Sequence, residues 1–151
     1  MSSLKDYIYL ICPLVTLMVC QLIKFSIESI KEHELKWDRL FNGSGGMPSS
    51  HTSFSSSITM LIGWTLGFDS PLFAMSFVFM GIVCYDAMGH RLESEKQAAA
   101  INILVNELFK NSPKVVIKQL KEQIGHEPLE VLVGFILGTV MSFGFYYFMW
   151  L

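Results

Sequence analysis

The chain has 151 residues, of which 52% are hydrophobic and 16% are charged, and its formal net charge at pH 7 is −2. Soluble domains carry about 25% charged residues, so this composition, with its long uncharged stretches, excludes an ordinary soluble domain and indicates a multi-span membrane protein. The charge balance also argues against nucleic acid as a partner. The three cysteines lie in apolar runs without paired spacing, which indicates neither a disulfide framework nor a metal site.

Four apolar stretches predict an all-α membrane bundle with about four spanning helices. We place the spans at residues 7–25, 49–68, 71–88 and 128–151. The polar loops between them cover residues 26–48 and 89–127, and the second loop carries apolar residues at helical spacing. That spacing predicts short amphipathic helices that lie on the membrane or against the bundle. We treat residues 1–151 as a single membrane domain.

The distribution of basic residues predicts the orientation of the bundle. The loops after the first and third spans, with their flanking ends, hold every Lys and Arg except Lys5. Because cytoplasmic loops carry an excess of these residues, we expect both loops on the cytoplasmic side and both termini outside. The expected location is a bacterial cell membrane, which the protein crosses several times.

A glycine-rich block, GGMPSSH, occupies residues 45–51 at the start of the second span. Gly45 and Gly46 let backbone N–H groups come close to a ligand, and Pro48 is typical of the first turn of a helix. Exposed N–H groups at a helix start favour anions, phosphate above all, and His51 brings an imidazole to the same place. The alternative interpretation is a glycine-rich turn with a serine cap.

A second polar block opens the last span. His126 and Glu130 are four residues apart, so they can meet on one edge of a helix that begins at Pro128. A carboxylate beside an imidazole fixes the tautomer and raises the basicity of the ring, which suits a nucleophilic histidine. The alternatives are that Glu130 reaches back to cap the helix and that His126 is a polar residue at the membrane interface.

Charged residues at the ends of the other spans are further candidates. Asp86 ends an apolar span, where ionisable residues are functional candidates by default. Arg91 could pair with Asp86, bind a phosphate through two hydrogen bonds, or extend from the membrane as a structural residue; Arg39 and Lys24 carry the same ambiguity. The predicted topology puts the following residues on one side of the membrane: Lys24, His51, Asp86, Arg91, His126 and Glu130.

Two pairs of glycines, Gly63 with Gly67 and Gly134 with Gly138, are each four residues apart. Such pairs form ridges of small residues that allow close contact between helices. The ridges could serve within the bundle or at the interface of a homodimer, and the sequence leaves both open.

Together, these blocks resemble the divergent type 2 phosphatidic acid phosphatase family, which is related to acid phosphatases and vanadium-dependent haloperoxidases. The resemblance runs from about residue 24 to about residue 138. The motifs that carry it are residues 45–51, Tyr85-Asp86-Ala87 with Arg91 and Gln97-Ala98, and Leu120-Lys121-Glu122 with Gly125-His126 and Glu130-Val131.

The resemblance implies a lipid phosphatase that uses no metal or cofactor and forms a phosphohistidine intermediate. Its substrate would be phosphatidate-like or a polyprenyl (di)phosphate. His126 would attack phosphorus, Glu130 would orient His126, and His51 would protonate the leaving alkoxide. Asp86 would support the site. The residues implied to bind the phosphate are Lys24, Arg39, Gly45, Gly46, Ser49, Ser50, Arg91 and Lys121.

The sequence departs from the wider superfamily at its arginines. The Arg-Pro pair of the superfamily is absent, since Arg39 is followed by Leu40, and Leu120 stands where an arginine would precede the nucleophile. An alternative function is therefore binding or transport of a lipid phosphate without hydrolysis, and a third is a structural assembly factor. A hydrolase that uses Ser49 or Ser50 as nucleophile has no identifiable third triad member.

Overall fold

The computed structural model of the protein describes residues 7–32, 46–108, 119–120 and 125–150. The described residues form five α-helices and no strand, which confirms the all-α prediction. The helices are α1 (Ile8–Glu32), α2 (Ser50–Leu66), α3 (Pro71–Met88), α4 (His90–Leu108) and α5 (Pro128–Trp150). The assignment of the chain to one domain stays a prediction.

Three stretches of the described chain are long and apolar enough to cross a membrane: Ile8–Lys31, Pro71–Leu108 and Pro128–Met149. The predicted second span, 49–68, corresponds to α2, which has 17 residues. At a rise of 1.5 Å per residue this helix is about 25 Å long, which is shorter than the hydrocarbon core of a typical bilayer, about 30 Å thick. The helix ends early because Gly67 adopts a positive φ of 95°, a conformation that suits glycine.

Helix α1 continues to Glu32, seven residues beyond the predicted end of the first span, because residues 26–32 are compatible with a helix although they are more polar. The end of the span itself stays a prediction. The predicted place of Pro48 is wrong. Helix α2 begins at Ser50, with Ser49 as its N-cap, so Pro48 precedes the helix instead of occupying its first turn. Pro128, in contrast, is the first residue of α5, as predicted.

The first predicted amphipathic helix of the loop at 89–127 is present as α4. It follows α3 after a single residue, Gly89, and extends over 19 residues. The rest of that loop, residues 109–127, where a second amphipathic helix was predicted, falls mainly outside the described residues.

Helix α2 packs against α1, α3 and α5. Its buried residues are mostly small and hydroxylated: Ser50, Thr52, Ser53, Ser55, Ser56, Ser57 and Thr59. Several of the hydroxyls donate to carbonyl oxygens one turn earlier, as Ser53 Oγ does to Ser49 O at 2.7 Å. Small side chains with satisfied hydroxyls allow neighbouring helices to approach closely in a membrane.

The glycine ridge of α5 lies directly on this hydroxylated surface of α2. A Cβ atom added to Gly134 would lie 2.6 Å from Ser49 O, and one added to Gly138 would lie 2.6 Å from Ser53 O. Both distances are shorter than any ordinary contact, so the two backbones require glycine at these positions. This ridge therefore serves a contact within the bundle, while the homodimer stays a prediction.

Substitution of Gly138 should reveal how much the α2–α5 contact contributes to stability. We expect Gly138→Ala to lower the free energy of unfolding by about 1–3 kcal/mol, the usual cost of overpacking. Thermal unfolding of the purified protein in detergent measures the change.

Gly144→Ala is the matched control, because it lies on the same helix with no atom within 4 Å of an added Cβ. That variant should be neutral or slightly stabilising, since alanine favours helix over glycine. Equal unfolding temperatures for the two variants would contradict the close contact.

Candidate functional site

The two polar blocks meet because α2 and α5 begin side by side. The backbone N–H of Ser49, the cap of α2, donates to the carbonyl oxygen of Glu130 in the first turn of α5 at 3.0 Å. The ring centroids of His51 and His126 are 6.1 Å apart, with their planes inclined by 63°. One small ligand can therefore contact both imidazoles.

His126 forms the buried part of the site. Its side chain is 1% exposed, and its Nδ1 lies 2.8 Å from Glu130 Oε2. An ionised carboxylate only accepts hydrogen bonds, so Nδ1 carries the proton and Nε2 keeps its lone pair. The contact predicted from the four-residue spacing is thus present, and Oε2 of Glu130 binds the imidazole instead of the helix start.

The surroundings of His126 favour its neutral form. The residue precedes α5 and lies outside the membrane-spanning stretches. Burial lowers the pKa of His126 below its ordinary value of 6.5, and the positive charges of Lys24 and Arg91 lower it further. The hydrogen bond and negative charge of Glu130 act in the opposite direction. At pH 7 His126 is therefore neutral, with Nε2 available to attack an electrophile.

His51 lies at the exposed mouth of the site. Its Nε2 is 3.5 Å from Nη1 of Arg91, and because arginine only donates, Nε2 is the acceptor. Nε of Arg91 donates to Asp86 Oδ2 at 2.6 Å. The pairing of Arg91 with Asp86 is one of the alternatives raised by the sequence. Asp86 thereby holds the guanidinium beside His51.

Lys24 brings a second cation to the site from α1. Its side chain is 6% exposed, and its Nζ lies 3.4 Å from Ser50 Oγ. Ser49 is fully buried, and its Oγ accepts a hydrogen bond from the backbone N–H of Thr52. An ammonium group, hydroxyl groups and the positive end of the α2 dipole thus lie together, which is the arrangement that stabilises an anion.

A pocket of about 260 Å³ adjoins the site on the side of α1. It lies between the last turns of α1, the segment Gly46–Met47 and the first turn of α5. Apolar side chains from Ile27, Met47 and Leu129 line it. Its charged lining residues are Lys24, Glu28, Lys31, Glu127 and Glu130. The pocket therefore offers an amphiphilic molecule both charged and apolar surface.

Not every residue proposed from the sequence can be located. Arg39, Gly45 and Lys121 fall outside the described residues. Within the described part of the chain, no group of three or more His, Cys, Asp or Glu side chains is arranged to hold a metal ion.

Two polar residues of α4 that were not among the candidates from the sequence contact the segment near His126. Glu95 Oε2 accepts a hydrogen bond from the backbone N–H of Gly125 at 3.0 Å. The side-chain amide of Asn102 makes two hydrogen bonds with the backbone of Leu120. The spacing of Arg91, Glu95 and Asn102 is the sequence signal that could have indicated these residues, because it places all three on one face of a helix.

Comparison with known proteins agrees with the resemblance seen in the sequence. A family model described as the Divergent PAP2 family matches residues 6–141. The uncharacterized membrane protein YuiD of Bacillus subtilis (strain 168) is 36% identical in an alignment of 149 positions that covers 92% of this chain and 94% of the relative. No solved structure gives a significant match.

The family match includes all the described candidate residues, the first two apolar stretches and most of the third. The chain is therefore an integral, multi-pass membrane protein that belongs to the Divergent PAP2 family.

Proposed function

We propose that the protein hydrolyses a lipid phosphate, either phosphatidate-like or a polyprenyl (di)phosphate, through a phosphohistidine intermediate on His126. The observation that carries the proposal is the pairing of two imidazoles whose ring centroids are 6.1 Å apart, one of them held by a carboxylate. A nucleophile oriented by a neighbouring acid, with a second proton-transferring group close by, is the arrangement that covalent catalysis requires.

The first step transfers the phosphoryl group to the protein. Nε2 of His126 forms a bond to phosphorus while the bond between phosphorus and the ester oxygen breaks. With a phosphomonoester the leaving alkoxide takes a proton from His51, so a neutral alcohol departs; with a diphosphate the leaving group is the monophosphate, which takes the same proton. Glu130, 2.8 Å from Nδ1, stabilises the positive charge that develops on the ring of His126.

His51 must carry a proton on Nε2 to act as the acid. In the structure that atom faces Nη1 of Arg91 at 3.5 Å. When a phosphate enters, Arg91 moves from His51 to the non-bridging oxygens, because a guanidinium binds a phosphate through two parallel hydrogen bonds. Burial and the nearby positive charges lower the pKa of His51, so the mechanism requires the negative charge of the bound phosphate to favour protonation of Nε2 once Arg91 has moved.

The second step releases inorganic phosphate. Water attacks the phosphorus of phosphohistidine and gives a proton to His51, which lost its own proton in the first step. The bond between phosphorus and Nε2 breaks, and His126 returns to its neutral form. After the second step the two histidines are therefore in the protonation states that they had in the substrate complex before the first step.

The charge of the phosphate is balanced by groups from three elements. Arg91 at the start of α4, Lys24 of α1 and the N-terminus of α2 surround the space between the rings. Such fixed positive groups provide most of the catalysis in phosphoryl transfer. They supply the positive charge that the absent superfamily arginines would otherwise provide.

The position and lining of the site support a lipid as the substrate. His126 and Glu130 lie at the start of one apolar stretch, and Asp86 and Arg91 lie at the junction of α3 and α4. The adjoining pocket combines Lys24 and Lys31 with three carboxylates and with apolar side chains such as Ile27 and Leu129. A headgroup phosphate at the membrane edge can reach the histidines while its apolar part stays near the bilayer. The distribution of basic residues in the sequence favours the cytoplasmic edge.

A second candidate function is binding or transport of a lipid phosphate without hydrolysis. The contact between Arg91 and Nε2 of His51 favours it, because an arginine that stays there prevents His51 from acting as an acid. Under this alternative, binding survives His126→Ala and is lost in Arg91→Ala.

Replacement of His126 tests the proposed hydrolysis. We expect His126→Ala to lower kcat for phosphate release by ~10⁴-fold or more, the scale on which an enzyme loses its nucleophile. His51→Ala should cost about 10²–10⁴-fold, as expected for a general acid. The assay measures phosphate release by purified protein from a panel of lipid phosphates.

The matched control is His90→Ala, an exposed histidine one residue from Arg91, which should retain wild-type activity. Full activity of His126→Ala would refute the assigned nucleophile. A wild-type protein that binds the lipid phosphates but releases no phosphate from any of them would favour the second candidate function.

The pH dependence follows from the low pKa of His126. Protonation of Nε2 abolishes nucleophilicity, so kcat/KM should fall on the acid side, with a midpoint below the ordinary histidine value of 6.5. Glu130 raises the pKa of His126, so Glu130→Gln should move this midpoint to still lower pH while it reduces kcat. A midpoint that moves to higher pH in Glu130→Gln would contradict the direct pairing.

A further inference from the structure

One face of α4 contacts the segment that contains His126. Arg91, Glu95, Ala98 and Asn102 follow one another at intervals of four, three and four residues, which places them in one row along the helix. Ala98 and Asn102 are buried, the latter with 5% of its surface exposed although it is polar. Three polar members of the row each contact an element of the candidate site.

The side chain of Asn102 makes two hydrogen bonds with the backbone of Leu120. Its Nδ2 donates to Leu120 O at 2.8 Å, and its Oδ1 accepts from Leu120 N–H at 2.9 Å. The side-chain amide thus satisfies the donor and the acceptor of one residue together, as a neighbouring β-strand would.

Glu95 holds the residue just before His126. Its Oε2 accepts the backbone N–H of Gly125 at 3.0 Å. Gly125 lies against the backbone of α4, where an added Cβ would be 2.5 Å from Leu92 Cα. The next backbone N–H, that of His126, donates to Ala87 O at the end of α3 at 3.1 Å.

Two parts of the bundle therefore fix the position of His126. The end of α3 and the inner face of α4 fix its main chain, whereas Glu130 of α5 fixes its ring. Misplacement of a reacting group by about 1 Å can cost ~100-fold in rate, so a buried nucleophile benefits from both constraints.

We propose that Glu95 and Asn102 are positioning residues for His126, and that α4 is the template on which the His126 segment, residues 119–120 and 125–127, is docked. Neither side chain touches the reacting phosphorus; both act through the backbone of the segment. The effect on catalysis rests on the proposed function, whereas the effect on the order of the segment does not.

Asn102→Leu, which keeps the side-chain size and removes both hydrogen bonds, is the first test. We expect kcat for phosphate release to fall by about 100-fold with KM nearly unchanged, and hydrogen exchange at the amides of Gly125 and His126 to increase. Asn106→Leu makes the same change one turn later at an exposed position of α4, and it should alter neither quantity. Unchanged exchange at Gly125 and His126 in folded Asn102→Leu would overturn the proposal.

Substitution of Glu95 is an independent test, in which the buried side-chain amide of Asn102 stays in place. Glu95→Ala should accelerate exchange of the Gly125 amide and reduce kcat, while Glu95→Gln, which keeps an acceptor oxygen, should restore most of both. Glu93→Ala is the control, because Glu93 is exposed and pairs with Lys96 on the outer surface at 2.7 Å. Equal effects of Glu95→Ala and Glu93→Ala would also overturn the proposal.

The two readouts separate this inference from the proposed hydrolysis. If the wild-type protein releases no phosphate, the proposed function fails, and the exchange rates alone decide whether α4 positions the segment. If the wild-type protein is active and both variants keep full kcat, the positioning role is wrong while the hydrolysis stands.

Discussion

The close contact between α2 and α5 sets the positions of the two histidines. Without side chains at Gly134 and Gly138, the backbone of α5 can rest on the carbonyl oxygens of α2, and Ser49 can donate to Glu130 O. That hydrogen bond fixes the register of the two helix starts. A slip of one helical turn, about 5.4 Å, is nearly as large as the 6.1 Å between the imidazole centroids, so the site depends on this register.

The same contact gives the two imidazoles different surroundings. His126 is buried and hydrogen-bonded to a carboxylate, whereas His51 is exposed and faces a guanidinium that Asp86 holds. Charged and polar groups at the edge of a membrane are costly unless they are paired, and here Arg91 is paired with Asp86 and His126 with Glu130.

Much of this arrangement follows from local sequence patterns. Apolar length predicted the helical class and most of the helix positions, and the four-residue spacing predicted the contact between His126 and Glu130. The contacts of Glu95 and Asn102 were not predictable, because their partners lie 30 and 18 residues away and are backbone groups without a sequence signature. The glycine ridges could not reveal their partner, since a small residue fits a neighbouring helix and a second copy equally well. The end of α1 could not be predicted from the apolar run, because hydropathy falls before the helix ends at Glu32.

The most direct test of the account is to trap the phosphorylated protein. After brief mixing with a labelled lipid phosphate and quenching in base, which preserves phosphohistidine, the label should be acid-labile and should map to the peptide that contains His126. It should be absent when Glu130 and His126 are both replaced. Hydrolysis that proceeds with no phosphorylated protein, or with label on any residue other than His126, would contradict the account.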